Sequence, residues 1–163
     1  MKRILLSVFV CSLLVTTGCH TPTSRSEAGT GGEGIPVPEG TLIPFTRAAN
    51  YFVRNDYTDG QLENNRITTQ QDFDAIFGAA ATMGSNGKPT PINFGVQDAV
   101  AVILPVSDSA VTLEDPVLQQ EGAYITLSYN ERRGPEQTFT TRPFLLLVVS
   151  KKYKGIINTV IKK

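Results

Sequence analysis

Hydrolysis by paired carboxylates needs two acids that face each other with their pKa values pushed apart. Two close pairs stand in this sequence, Asp72 with Asp74 and Glu114 with Asp115. Neither has the right spacing. Helix residues two apart do not face each other, and adjacent strand residues point to opposite sides. Solvated surface acids describe both pairs better. Asp56-Tyr57-Thr58-Asp59-Gly60 has the outline of a calcium loop, but its third position is Thr58 and no Glu closes a twelve-residue loop, so a turn is the simpler reading. Gly84-Ser85-Asn86-Gly87-Lys88-Pro89 has the glycines of a phosphate loop without its Lys-Ser/Thr ending. Ser150 and Lys151 suggest a Ser-Lys pair, yet as strand neighbours they face opposite ways.

Nucleophilic and metal chemistry meet a harder limit. The only histidine is His20, and the two cysteines are Cys11 and Cys19. All three lie near the N-terminus, so a Cys-His dyad, a Ser-His-Asp triad and a His-based zinc site are excluded from the rest of the chain. The expectation is a non-enzymatic protein with no catalytic residues, no metal and no cofactor. The charge balance is even, 15 Lys+Arg against 15 Asp+Glu. Without a basic excess to release counterions from a phosphate backbone, a nucleic-acid partner is disfavoured.

The N-terminus carries an address. Met1-Lys2-Arg3 is a basic start, and Ile4 to Val15 is an apolar run too short for a bilayer, which takes about 20 apolar residues. Val15-Thr16-Thr17-Gly18-Cys19 then resembles the lipobox of bacterial lipoproteins, with Thr16 where the commonest pattern has Leu. That resemblance implies cleavage after residue 18, lipid on Cys19 and attachment to the outer membrane of a Gram-negative envelope. An ordinary secretory signal is the alternative. Residues 19–47 read as a tether, because their Gly, Ser, Thr and Pro content, including Gly29-Thr30-Gly31-Gly32-Glu33-Gly34, cannot bury enough apolar surface to offset ordering entropy.

Residues 48–163 read as a single domain. Asn50 to Asn55 has strand composition, and Asp59-Gly60 is a hairpin signal leading into Gln61 to Ile67. One helix follows, capped by Thr68 or Thr69 with Gln71 or Asp72 as reciprocal partner; Phe73, Ile76 and Phe77 form its apolar stripe, and Gly78 can end it. Residues 79–91 form a long loop stiffened by Pro89 and Pro91. From Ile92 onward the pattern is strand. Ala99 to Leu104 and Phe144 to Val149 are apolar on both faces, while Ala123 to Tyr129 alternates. Arg133-Gly134-Pro135 reads as a turn, and Lys154-Gly155 as a last reversal into Ile156 to Ile161. The sum is mainly β, an antiparallel up-and-down barrel of about eight strands or a curled sheet. The short helix covers one opening, and an open sandwich is the nearest competitor.

The run Ile67-Thr68-Thr69-Gln70-Gln71-Asp72-Phe73-Asp74-Ala75-Ile76-Phe77-Gly78 resembles the helix opening of small Bacteroidetes envelope lipoproteins. So do Pro89-Thr90-Pro91-Ile92-Asn93-Phe94 and Pro143 to Val149 followed by Lys151-Lys152-Tyr153. These lipoproteins include the potempin peptidase inhibitors. A looser likeness connects the chain to the accessory domain of protease complexes (the PrcB-like group). The resemblance implies a lipid-anchored barrel that wedges its loops into a secreted peptidase. The nominated contacts are Met83, Ser85, Asn86, Lys88 and Pro89 in the long loop, with Arg132 and Arg133 in a second protruding turn. An envelope structural or assembly subunit and a small-ligand-binding barrel are the alternatives. The apolar strands favour a filled core over a ligand cavity.

Overall fold

The computed structural model describes residues 40–80 and 87–162. Two short strands open it, β1 (Thr41–Leu42) and β2 (Phe45–Arg47), with Ile43 between them fully buried. The folded part therefore begins before Ala48, and the expected tether to residue 47 is too long. The apolar run Leu42 to Phe45 is short, and residues 41–47 gain their order by pairing with the distant strands β7 and β9. Next come β3 (Tyr51–Val53), β4 (Arg66–Ile67), α1 (Gln70–Ile76) and β5 (Phe77–Ala79). The larger strands are β6 (Gln97–Ile103), β7 (Ser107–Glu121), β8 (Tyr124–Thr141), β9 (Phe144–Ser150) and β10 (Ile156–Ile161).

The described residues are mainly β with one short helix, as expected, and their sheets are open and curled rather than closed into a barrel. One four-stranded sheet has the order β1-β7-β8-β10 and the other β2-β9-β6-β4; β3 and β5 form a separate pair. Three register shifts along β7–β8, at Ser107/Ser109, Ser109/Val111 and Glu114/Val117, bend that long ribbon. Asp115 takes a left-handed φ of 48° at the last of these, just before Pro116. The ribbon turns at Gly122, whose φ of 55° suits a two-residue hairpin loop. An all-hairpin meander is not what joins the rest. β6 pairs with β9 and β2 with β9 across long sequence gaps, and β10 runs parallel to β8.

Two cores explain the apolar strands. In the register Val100↔Leu147 and Val102↔Leu145, side chains of β6 and β9 meet Leu113, Leu118, Ile125, Leu127 and Tyr129 of the other sheet. The alternate residues Ala99, Ala101 and Leu146 face a second core of Phe73, Ile76, Phe77, Ile67, Val53 and Tyr57. The β6–β9 pair is thus covered on both sides, which is why its strands carry apolar residues without alternation. The helix covers the outer face of this sheet; it does not plug a barrel mouth.

Local chemistry sets the helix ends. Thr69 is the N-cap, its Oγ1 accepting from the Asp72 amide at 3.1 Å. The helix stops at Phe77, which is already extended, so Gly78 does not end it. Gly78 instead pairs with Phe52 across β3–β5, where a Cβ would lie 2.4 Å from the Phe52 ring. The expected strand Gln61 to Ile67 shortens to Arg66–Ile67, because Asp56–Gly60 is a turn followed by bends.

Candidate functional site

The connection from β5 to β6 contains the nominated long loop, and its two ends, residues 80 and 87–96, are described. Both of its feet rest on one stretch, Ala49–Tyr51. On the incoming side the Ala80 amide donates to the Asn50 carbonyl at 2.9 Å. On the outgoing side four bonds converge. The Ala49 amide donates to Thr90 Oγ1 at 2.9 Å, and the Thr90 amide returns to the Ala49 carbonyl at 3.1 Å. Asn50 Nδ2 donates to the Lys88 carbonyl at 2.9 Å, and the Tyr51 hydroxyl to the Thr90 carbonyl at 2.7 Å. Asn50 holds a left-handed φ of 62°, a conformation asparagine tolerates better than most residues. Beyond the clamp, Ile92 and Phe94 pack into the second core, and Asn93 caps the entry to β6 by accepting from the Gly95 amide.

Lys88 and Pro91 are exposed, while Pro89 and Thr90 are half-buried. Met83, Ser85 and Asn86 lie outside the described residues, as does Cys19. Of the nominated loop contacts, Lys88 and Pro89 are therefore placed, on a backbone fixed by hydrogen bonds from both its neighbours. Sequence reasoning found the prolines and missed the clamp, whose only signal was Asn50 before a β-rich run.

The Tyr51 hydroxyl has its pKa raised from 10.0 by burial and, second, by the negative charge of Asp74. A raised folded-state value keeps the hydroxyl protonated where the unfolded chain has begun to ionise. Its contribution to stability is then complete below about pH 10 and is lost as pH rises through the folded value. Tyr51→Phe should lower stability by about 0.5–1.5 kcal/mol near neutrality, the usual worth of one hydrogen bond. The gap between the two proteins should narrow in melts taken above pH 10. Tyr129, raised by burial and then by Glu131, gives both proteins the same alkaline loss, so the difference isolates Tyr51.

Arg132 and Arg133 require a correction. They do not occupy a protruding turn: both lie inside β8, opposite Thr112 and Val111 of β7. Arg132 pairs with Glu114 at 3.2 Å, an exposed pair of the kind that contributes little, and Arg133 pairs with the largely covered Glu131 at 2.6 Å. Gly134 and Pro135 continue the strand because β10 covers only Tyr124 to Tyr129, leaving that stretch of β8 as an edge where a proline costs no ladder bond.

The remaining sequence candidates have structural partners. Asp72 bonds Thr69, Asp74 accepts from Gln70 Nε2 at 2.8 Å, Asp115 accepts from Asn130 Nδ2 at 2.9 Å, and Asp59 pairs with Arg142. Lys151 reaches a group the sequence did not single out. Asp98, 4% exposed at the start of β6, meets Arg66 Nη1 at 3.0 Å and Lys151 Nζ at 3.5 Å. Arg66 Nη1 also donates to the Tyr153 carbonyl at 2.9 Å, and Lys151 Nζ to the Thr68 carbonyl at 3.1 Å. This cluster joins β4, β6 and the end of β9 at the border of the first core. Its one sequence signal was an acid at the head of an apolar strand.

Such an arrangement defines a β-rich scaffold in which Lys88–Thr90 is bonded to Ala49–Tyr51 and a buried acid, Asp98, is paired with two cations. No known family model, no characterised protein and no solved structure matches the chain. No helix among the described residues is long and apolar enough to cross a membrane.

Proposed function

We propose that this protein is an outer-membrane-anchored lipoprotein that binds and inhibits a co-secreted peptidase through its β5–β6 loop. The observation that supports this most is the double-footed clamp on Ala49–Tyr51, which holds Lys88-Pro89-Thr90 in place before any partner arrives. A segment already held, as Lys88–Thr90 is, loses little ordering entropy on docking, and main-chain bonds to a cleft can then supply affinity. Lys88 is the exposed side chain available to enter a specificity pocket. The resemblance to potempins and the lipobox at Cys19 support the same reading from the sequence. Arg132 and Arg133, exposed along β8 and not on a turn, are secondary candidates for contact.

The test titrates the purified full chain against secreted peptidases of the same cells. Stoichiometric loss of activity is expected. Asn50→Ala, which cuts one foot bond and favours another φ, should weaken inhibition about tenfold by restoring loop freedom. Absence of inhibition against every peptidase present overturns the reading. Cys19→Ala protein that stays with the membrane fraction as firmly as the parent would remove the anchor.

A further inference from the structure

β10 is the last strand of its sheet, and on its far side it has no partner strand among the described residues. The amides of Ile156 and Lys162 donate inward, to the carbonyls of Ala123 and Tyr129. By strand alternation, Ile157, Thr159 and Ile161 direct their N–H and C=O groups outward, a ladder template for another strand. The strand Ile156-Ile157-Asn158-Thr159-Val160-Ile161 has no charge and no proline, and Ile156, Val160 and Ile161 are 61%, 49% and 50% exposed. Beside it, Tyr124 of β8 is 53% exposed, opposite Ile156. None of the usual devices that blunt an edge, such as a bulge, a proline or an inward charge, interrupts these six residues.

Charge selects the occupant. Lys154 precedes the strand and Lys162 follows it, and from Gln137 to Lys163 the chain contains no Asp or Glu. Antiparallel pairing of two copies would set the Lys154 end of one β10 against the Lys162 end of the other, a repulsion at both ends. An incoming strand with acidic ends meets attraction at Lys154 and at Lys162, whose ammonium also donates to the Asp115 carbonyl at 2.8 Å. We propose that the β10 edge binds, by strand addition, an extended peptide of alternating apolar residues flanked by acidic side chains. This surface belongs to the sheet that does not carry the loop, so it stands whether or not the loop inhibits a peptidase.

The experiment uses the isotope-labelled full chain and two synthetic peptides. Both alternate valine and threonine; one ends in aspartates and the other in lysines. With the acidic peptide, the amides of Ile157, Thr159 and Ile161 should shift and exchange more slowly, and binding should weaken with salt. The basic peptide should bind about tenfold more weakly, since each end turns from attraction to repulsion. The double substitution Lys154→Glu with Lys162→Glu should reverse that preference. Thr159→Pro, which deletes an outward N–H that no internal bond uses, should abolish binding at unchanged melting temperature. Should Thr159→Pro prove unfolded, the charge reversal still decides. The proposal is overturned by shifts confined to other elements, by equal affinity for both peptides, by no binding of either, or by concentration-dependent protection of the same amides without peptide, which marks self-pairing.

Discussion

Asp98→Ala is expected to destabilise the protein by about 3–5 kcal/mol, the range for removing one partner of a buried ion pair. The carboxylate is the sole acid between two cations, Arg66 at 3.0 Å and Lys151 at 3.5 Å, and its side chain is 5% exposed while that of Arg66 is 15% exposed. Deleting it leaves a guanidinium without its counter-charge next to apolar Val100, Leu147 and Val149, where water replaces it poorly. Arg66 Nε and Nη2, and Asp98 Oδ1, make no hydrogen bond among the described residues, so the guanidinium depends on Asp98 Oδ2 and the Tyr153 carbonyl. Urea unfolding followed by circular dichroism gives the loss directly. The isosteric Asp98→Asn should sit between the two, because it keeps the shape and one acceptor and removes the charge. A loss below about 1 kcal/mol for Asp98→Ala would show that the pair is effectively solvated, as exposed pairs are.

Phe77→Ala is expected to cost a similar amount, about 3–5 kcal/mol, through lost apolar burial and the cavity left behind. Phe77 is 2% exposed, stacks on Phe73 at 5.1 Å between ring centroids, and meets Phe144 of β9 at 5.5 Å. It is also where helix becomes strand, so its ring fixes both the helix and β5 against the central sheet. The consequence reaches the loop. Tyr51 packs edge-on against Phe73 at 5.2 Å, and Tyr51 is part of the clamp under Thr90. Hydrogen exchange should therefore speed up at Ala80 and Thr90 as well as in the helix. Thermal and urea unfolding measure the global loss, and a change below about 1 kcal/mol would make the helix layer peripheral to stability.

Residues 70–76 were legible because everything they need is local. Thr69 and Asp72 are three apart, and the stripe Phe73, Ile76, Phe77 has the helical period, so the buried face could be read directly and the cap narrowed to Thr68 or Thr69. The strands β6 and β9 were legible for a similar reason. A run such as Phe144 to Val149, short, apolar without alternation and preceded by Pro143, reads as a central strand, and the structure places it between two cores. The clamp was only half legible. Pro89 and Pro91 announced a stiff loop, while the hydrogen bonds of Ala49, Asn50 and Tyr51 to it span about 40 positions and left no pattern.

Tertiary structure alone decided which strands pair and which charges meet. Alternation tells which face of a strand is apolar, but many partners satisfy the same alternation, and the choice among them is made by packing across the whole molecule. So β10 lies parallel to β8 instead of closing a meander, and Arg132 and Arg133 continue a strand that the dipeptide Gly134-Pro135 seemed to end. Asp98 was one acid among fifteen until the pairing Arg66↔Val100 and the end of β9 brought two cations to it. Propensity, capping and periodicity act over a few residues and survive in the sequence; burial of a charge or the exposure of an edge depends on residues far away in the chain, and exists only once the sheets have assembled.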